Sequence, residues 1–356
     1  MLSFCELKQA AFGLDISDHS LKIAQLKRSG HFFKLVSFNE VLLKPGLVRD
    51  GEIKKPAELS EIIKKAVKEA RVGKIKTKNV VVVLPEKKAF LEVIPMPRLA
   101  ENDLKSAIIW EAENHIPLPL EKVYLDYQTI SSAAHQDLNR IDVLLAAFPA
   151  EIIDSYLDCL TKANLKPVVL EPESLAISRV LVPQEETEKP FFLIDFDATR
   201  TIFIIFAFGS VRFVFLSNFS SSQLNEAIAQ TMHIDLIKAE ELKIKYGLAN
   251  KSTKIGQQVS ACLQPFLNDL VEQVKTYLAY GEKEIKNQKI EKILISGGGA
   301  KLKGLTAFLS AELNLTVDLA NPWVNLRKDI TPDLQKEFLN YAGVLGAALR
   351  GEIEKI

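Results

Sequence analysis

Phe12-Gly-Leu-Asp15-Ile-Ser17-Asp-His-Ser20-Leu-Lys22-Ile-Ala-Gln-Leu26 and, 180 residues later, Phe191-Phe-Leu-Ile-Asp195-Phe-Asp197-Ala-Thr199-Arg-Thr201-Ile-Phe-Ile-Ile205 carry one pattern twice. In each, an apolar strand delivers an aspartate into a short hydroxyl-bearing turn, and a second strand leaves it. Aligning Asp15 with Asp195 brings Gly30 within one residue of Gly209, so each copy continues through a glycine turn into a third apolar run. Both copies read as three-stranded meanders. Facing each other, they present two acidic turns, several hydroxyls and backbone N–H groups to one ligand, which suits a phosphate chain carrying a metal ion. Either copy alone reads more simply as a plain hairpin with an aspartate at its turn, which is common.

A third segment, Lys292-Ile-Leu-Ile-Ser296-Gly297-Gly298-Gly299-Ala-Lys-Leu-Lys-Gly304, reads as a buried strand, a triple-glycine turn and a helix start. Glycines let backbone approach a ligand closely, and a helix N-terminus favours anions. The segment is neither a Walker A loop nor G-x-G-x-x-G, since Leu302 stands at the last glycine position.

Composition is compatible with a large cytoplasmic protein. The chain has 356 residues, 47% of them apolar, enough for two or more domains. Lys plus Arg equals Asp plus Glu at 45 each, so no net field recommends nucleic acid. Cys5, Cys159 and Cys262 match no zinc spacing and no disulfide framework. The apolar run Ile202 to Phe208 is too short for a membrane span, and Glu6 and Lys8 interrupt any signal-peptide core, so no direct membrane insertion is expected.

Along the chain, the first meander occupies residues 12–43, followed by a Pro56-initiated amphipathic helix and the all-apolar strand Asn79 to Leu84. Ala89 to Ile94 reads as a strand pairing with that one. A helix from Leu99 to His115 and strands Val123 to Ile130 and Ile141 to Phe148 complete a compact α+β unit, with a long exposed hairpin loop from Ser131 to Asn139. Asn164 reads as a left-handed helix cap, and Pro183 to Pro190 as an interdomain linker. The second half holds a helical section from Ser221 to about Gln288, a strand from Thr316 to Leu319, and a closing helix from Pro332 to Leu349.

The order acidic hairpin, acidic hairpin, strand-GGG-helix resembles the actin-like ATPase superfamily. Glu113-Asn-His-Ile-Pro117, Asp126-Tyr127, Ala163-Asn-Leu165, Glu171-Pro172-Glu-Ser174-Leu175-Ala176, Ala239-Glu240-Glu241-Leu242-Lys243 and Asn321-Pro322-Trp323 narrow the resemblance to the PilM family of type IV pilus assembly proteins, from about Gly13 to about Leu349. The resemblance implies an α/β, ribonuclease H-like duplicated fold of two domains with an inserted FtsA/PilM-type (SHS2) subdomain. It sets the first domain at 1–185 with the insert at about 45–147, the second at 190–330 with a helical subdomain at about 220–288, and a closing helix in 331–356 that returns to the first.

It also implies ATP and Mg²⁺ as cofactors, with the metal held through water by Asp15 and Asp195. Ser17, Ser20, Thr199 and Thr201 supply hydroxyls, Lys22 a positive charge, and turn amides such as those of Asp197 and Ala198, with Gly297, Gly298 and Gly299, the remaining phosphate contacts. The hydroxyls have an alternative use in capping their own hairpins. Lys243 and Glu240 match positions near adenosine and ribose, and Glu171 is the candidate for orienting water in slow hydrolysis. Ser17 and Asp197 depart from the pattern, standing where the superfamily has glycine; a carboxylate there crowds and repels phosphate.

Three functions follow from the resemblance. The first is a cytoplasmic ATP-binding adaptor, peripheral at the inner membrane, that binds the cytoplasmic N-terminal peptide of a PilN-like membrane protein, with a pilus assembly ATPase as a further contact. Its partner groove is expected where the inserted unit, including Val80 to Val83 and Ala89 to Ile94, meets the first domain. The second is an FtsA-like division filament, for which Arg350 to Ile356 is too short and charged to be the usual amphipathic anchor. The third is a small-molecule kinase. A degenerate scaffold that no longer binds nucleotide is a variant of the first.

Overall fold

Period-two burial builds the first sheet. In the computed structural model, which describes residues 10–30, 32–131, 139–249, 252–286, 288–326 and 338–353, β1 (Phe12–Ile16), β2 (Ser20–Ser29) and β3 (Phe32–Leu42) form an antiparallel meander. The short strands β4 (Val48–Arg49) and β5 (Glu52–Ile53) lead to α1 (Pro56–Lys68), which starts on a proline because the first helical N–H needs no intrahelical partner. Leu59, Ile63 and Ala66 of α1 pack in one cluster with Val80 and Val82 of β6 (Asn79–Leu84). Both faces of β6 are covered, which explains its unbroken valine run.

The chain then leaves this sheet. β7 (Phe90–Pro97), α2 (Glu101–His115), β8 (Val123–Ile130) and β9 (Arg140–Pro149) form a separate sheet in the order β7-β9-β8. Ile94, Val143 and Leu145 from its strands pack with Ile108 and Ala112 of α2 in a core of its own. After α3 (Ala150–Lys162), capped by Asn164 at φ 59°, β10 (Lys166–Pro172) returns to the first sheet, whose order is β10-β6-β1-β2-β3. Next comes α4 (Glu173–Leu181).

The second half repeats the plan. β11 (Phe191–Phe196), β12 (Thr201–Ala207) and β13 (Ser210–Ser217) form the meander, and α5 (Ser221–Met232), α6 (Leu236–Tyr246) and α7 (Lys254–Glu284) the helical section. β14 (Lys292–Ser296), α8 (Leu305–Leu313) and β15 (Thr316–Leu319) complete the sheet β13-β12-β11-β14-β15. In both sheets the meander is antiparallel and two later strands join parallel to its first strand's free side. Strand alternation decides where the aspartates point. Phe192, Ile194 and Phe196 enter the core beneath the helical section, while Phe191 and Leu193, in phase with Asp195, enter a core shared by both halves. Phe12, Leu14 and Ile16 likewise face α1 and α3, leaving Gly13 and Asp15 on the opposite side.

After a turn at Phe338–Tyr341, α9 (Ala342–Ile353) closes the fold against the first half. A Cβ on Gly13 would meet Val344 O at 2.4 Å, and one on Gly346 would meet Ala176 O at 1.8 Å. These glycines let α9 lie directly on β1 and α4.

Four expectations need correction or limits. Ala89 to Ile94 does not pair with Asn79 to Leu84: β7 pairs with β9, because β6 has both edges taken by β1 and β10. Val80 to Val83 are therefore core of the first sheet, and the separate sheet begins at β7, so α1 and β6 are no part of the inserted unit. Ser131 and Asn139 bound a loop whose residues 132–138 lie outside the described residues, as do residues 332–337 of the expected closing helix.

Candidate functional site

The first acidic turn is tied by its own hydroxyls. Ser17 N donates to Ser20 O at 2.9 Å, Ser17 Oγ donates to the same carbonyl at 3.0 Å, and Ser20 N donates to Ser17 Oγ at 3.0 Å. Ser17 thus replaces glycine by closing the hairpin with its side chain. Lys22 stands opposite Asp15 in the β1–β2 register, with its ammonium 5.7 Å over the Tyr341 ring. Burial alone pulls Lys22 down, but Asp15, Asp197 and Glu40 outweigh it and hold the ammonium above its ordinary value. Burial raises Asp15, against Lys22 and Arg200.

The second turn brings in residues that the sequence pattern did not single out. Asp195 accepts from Ser296 Oγ at 2.7 Å, its parallel-strand neighbour on β14. Burial, then the nearby Asp197 carboxylate, push Asp195 up to about 7 against that hydrogen bond and the charges of Arg200 and Lys22. Arg200, at the end of this turn, pairs with Glu173 at the start of α4, spanning the two halves. Glu173 is pushed up to about 8 by burial, which Arg200 opposes. Beside it, buried Glu86 accepts from Ser174 N at 2.9 Å and Ser174 Oγ at 2.8 Å, fixing the helix start.

The glycine turn abuts both. A Cβ on Gly297 or Gly299 would strike Phe196, at 2.4 Å from its carbonyl oxygen and 2.5 Å from its ring respectively, so packing on β11 requires these two glycines. Gly298 is different: nothing lies within 4 Å of a Cβ built there, and its N–H donates to Asp197 Oδ1 at 3.1 Å. Asp197 therefore occupies the amide of the one glycine in this turn that close packing does not require.

Other expected residues divide. Thr201 is wholly buried and its hydroxyl donates to Phe219 O at 2.8 Å, which removes it from the set that can reach a phosphate. Ala198 and Thr199 are exposed at the turn, and the Ala198 carbonyl accepts from Ser222 N. Lys243 is buried, donating to Ser221 O at 2.9 Å and Ser221 Oγ at 2.6 Å, while Ser221 N donates to Asp197 O. Desolvation lowers Lys243 to about 8. Glu240 is exposed one turn earlier on α6.

Glu171 does not suit the catalytic role expected of it. Its carboxylate is 1% exposed, receives both Arg179 terminal nitrogens at 2.7 Å each, and accepts from Arg350 Nη1 of α9 at 2.7 Å. Oxygens so committed to guanidinium groups cannot orient water. Glu173, two residues on, is the carboxylate that faces the cleft.

A metal fit is also poor. Lys22 and Arg200 already stand among Asp15, Asp195 and Asp197, and the described residues include no group of three or more His, Cys, Asp or Glu arranged to hold a metal ion.

On the far side of Pro172 a groove of about 600 Å³ opens between the inserted unit and the first half. Tyr124 and Asp126 of β8, Leu144 of β9, Leu170 and Glu171 of β10, and Arg350 line it. β8 is the edge strand of its sheet, so among the described residues its outer backbone groups have no strand partner.

The sequence model of the family described as type IV pilus assembly protein PilM matches residues 13–352. The chain belongs to the PilM family. Among solved structures, it is similar to a chain of a PilM–PilN type IV pilus biogenesis complex at 28% identity, covering 97% of this chain and 99% of that one with a TM-score of 0.80. MreB5 of Spiroplasma citri bound to AMPPNP matches at 12% identity over 96% of each chain, TM-score 0.56. The ethanolamine utilization protein EutJ from Carboxydothermus hydrogenoformans matches at 13% identity over 95% of this chain and 89% of that one, TM-score 0.54. These last two show the fold alone, and they agree with the duplicated sheets: this PilM-family chain has the actin-like α/β fold. No helix among the described residues is long and apolar enough to cross a membrane.

Proposed function

We propose that this PilM-family protein is a cytoplasmic nucleotide-binding adaptor of type IV pilus assembly, held at the inner membrane by the N-terminal cytoplasmic segment of a PilN-like protein. The observation that carries this reading is the similarity over 97% of the chain to the PilM–PilN complex, joined to a groove beside an edge strand. An extended peptide gains main-chain hydrogen bonds along β8 and side-chain contacts in the groove floor. Membrane attachment through a partner needs no lipid-binding segment in the protein itself. Contact with a pilus assembly ATPase is a further part of this proposal.

ATP is the ligand we assign to the cleft between Asp15, Asp195 and Gly298, with turnover at most slow. The support is convergence: two strand ends and the glycine turn meet on one shared face, with Lys22 and Lys243 beside them. Asp197 weakens the site by repelling phosphate and by occupying the Gly298 amide. Asp197→Gly is expected to tighten ATP binding about tenfold, the worth of one released charge-assisted contact; calorimetric titration gives the value, and weaker binding in the variant shows Asp197 to be an organiser of the site.

The partner reading is tested by hydrogen exchange with and without a synthetic peptide of the PilN-like N-terminus. Slower exchange at Val123 to Ile130 is expected. Protection confined to α5–α7 means that the groove has been misassigned.

A further inference from the structure

Arg200 is a cation in a place where the sequence pattern asked only for carboxylates and hydroxyls. It closes the turn that begins at Asp197, whose N–H donates to the Arg200 carbonyl at 3.0 Å, and its side chain crosses the cleft to Glu173 on the other half. Its Nε–H is buried and has no partner among the described residues. A guanidinium presents five N–H donors in a rigid fork matched to carboxylate or phosphate oxygens. Glu173 engages one edge of that fork, and a buried donor remains to be satisfied.

The charges around it follow the same geometry. Asp15, Asp195 and Asp197 all interact electrostatically with Arg200, so the guanidinium sits where the leading strands of the two sheets converge. Burial would lower it, but Glu173 and Asp197 hold it fully charged. Asp197 adds a negative charge to the turn and Arg200 returns a positive one three residues later; the two side chains compensate each other.

We propose that Arg200 is the cation that receives the phosphate chain of a nucleotide in this cleft, leaving Glu173 when the phosphate arrives, so that binding proceeds without a divalent metal. This rests on the nucleotide reading given above. The Arg200–Glu173 pair ties the halves together; phosphate, with more charge and a better-matched set of oxygens, displaces Glu173 and also satisfies Nε. Burial disfavours an unpaired carboxylate at Glu173, so the released side chain is neutralised by a proton rather than left charged.

The experiment is calorimetric titration of the full-length protein with ATP, once with excess EDTA and once with Mg²⁺. The wild-type protein is expected to bind with affinities within about threefold of each other in the two conditions. Glu173→Gln, which frees Arg200, is expected to bind ATP several-fold more tightly in EDTA. Because Arg200→Met alone would strand a buried carboxylate and can impair folding, the double variant Glu173→Gln/Arg200→Met is used to remove the cation. It is expected to lose about tenfold or more in EDTA and to recover with Mg²⁺, since the carboxylates then lack their resident charge. Wild-type binding that collapses in EDTA, or a double variant indistinguishable from wild type, overturns the assignment while leaving ATP binding intact. Failure of the wild-type protein to bind ATP in either condition overturns the nucleotide reading itself.

Discussion

Glu171 and Glu173 are separated by one proline and do opposite jobs. Glu171 holds Arg179 and Arg350 together in a buried cluster, whereas Glu173 meets Arg200 in the cleft. Glu171→Gln leaves two guanidinium groups short of their counter-charge, and a loss of roughly 3 kcal/mol in urea unfolding is expected, typical of breaking a buried pair. ATP affinity, read by calorimetry, is expected to stay within about threefold. Asp195 gives a pH signature. Its carboxyl is raised from 3.8 to about 7, so the folded state holds a proton that the unfolded state has released across that interval. Stability from this group is present below about pH 4 and is lost as pH rises through about 7. Asp195→Asn is therefore expected to gain on the order of 2 kcal/mol over the wild type at pH 8 and little at pH 4, by denaturant titration at both values.

At the scale of elements, α9 is shaped by its neighbours. Gly346 lies against the Ala176 carbonyl of α4, so Gly346→Ala has to push two helices apart; a cost of about 1–3 kcal/mol is expected, measured as a fall in the urea midpoint at unchanged slope. The two meanders were legible because period-two burial and their aspartate turns are local signals, and the Val80 to Val83 run was legible as a strand for the same reason. Its partners were not. β7 follows β6 after a short turn, which favours a hairpin reading, yet β1 and β10 claim both edges of β6 through pairings with residues far away in sequence. The site shows the same limit. Asp15, Asp195 and the glycine turn announce themselves locally, but Glu171 is told from Glu173 by partners that sequence does not place beside them, Arg179 and Arg350 for the one and Arg200 for the other. Arg200 carried one usable sign, a basic residue closing an acidic turn.

For the whole molecule, the inserted unit is clamped to the second half as well as joined to the first. Arg212 Nη1 donates to Asp142 Oδ2 at 2.8 Å, linking β13 to β9, while Arg212 Nε donates to Ala207 O of β12 at 3.0 Å and holds the guanidinium in place. Arg212→Met is expected to speed amide exchange throughout β7, α2, β8 and β9 while leaving the second sheet's exchange unchanged, since the unit keeps its own core. The closing helix has a different reach, one measured in time. Gly13 and Val344 touch, yet 331 residues separate them. At about 5–20 residues per second, a ribosome delivers the first strand roughly 15–65 s before the helix that covers it. Throughout that delay the leading half of the newborn chain carries an uncovered apolar face, and the inner face of the second sheet, whose Phe191, Leu193 and Ile204 pack with Val344 and Leu345, waits for the same helix. Neither half can bury its inner face until the last helix is made, and the nascent chain is a natural client for whatever shields hydrophobic surface at the ribosome exit.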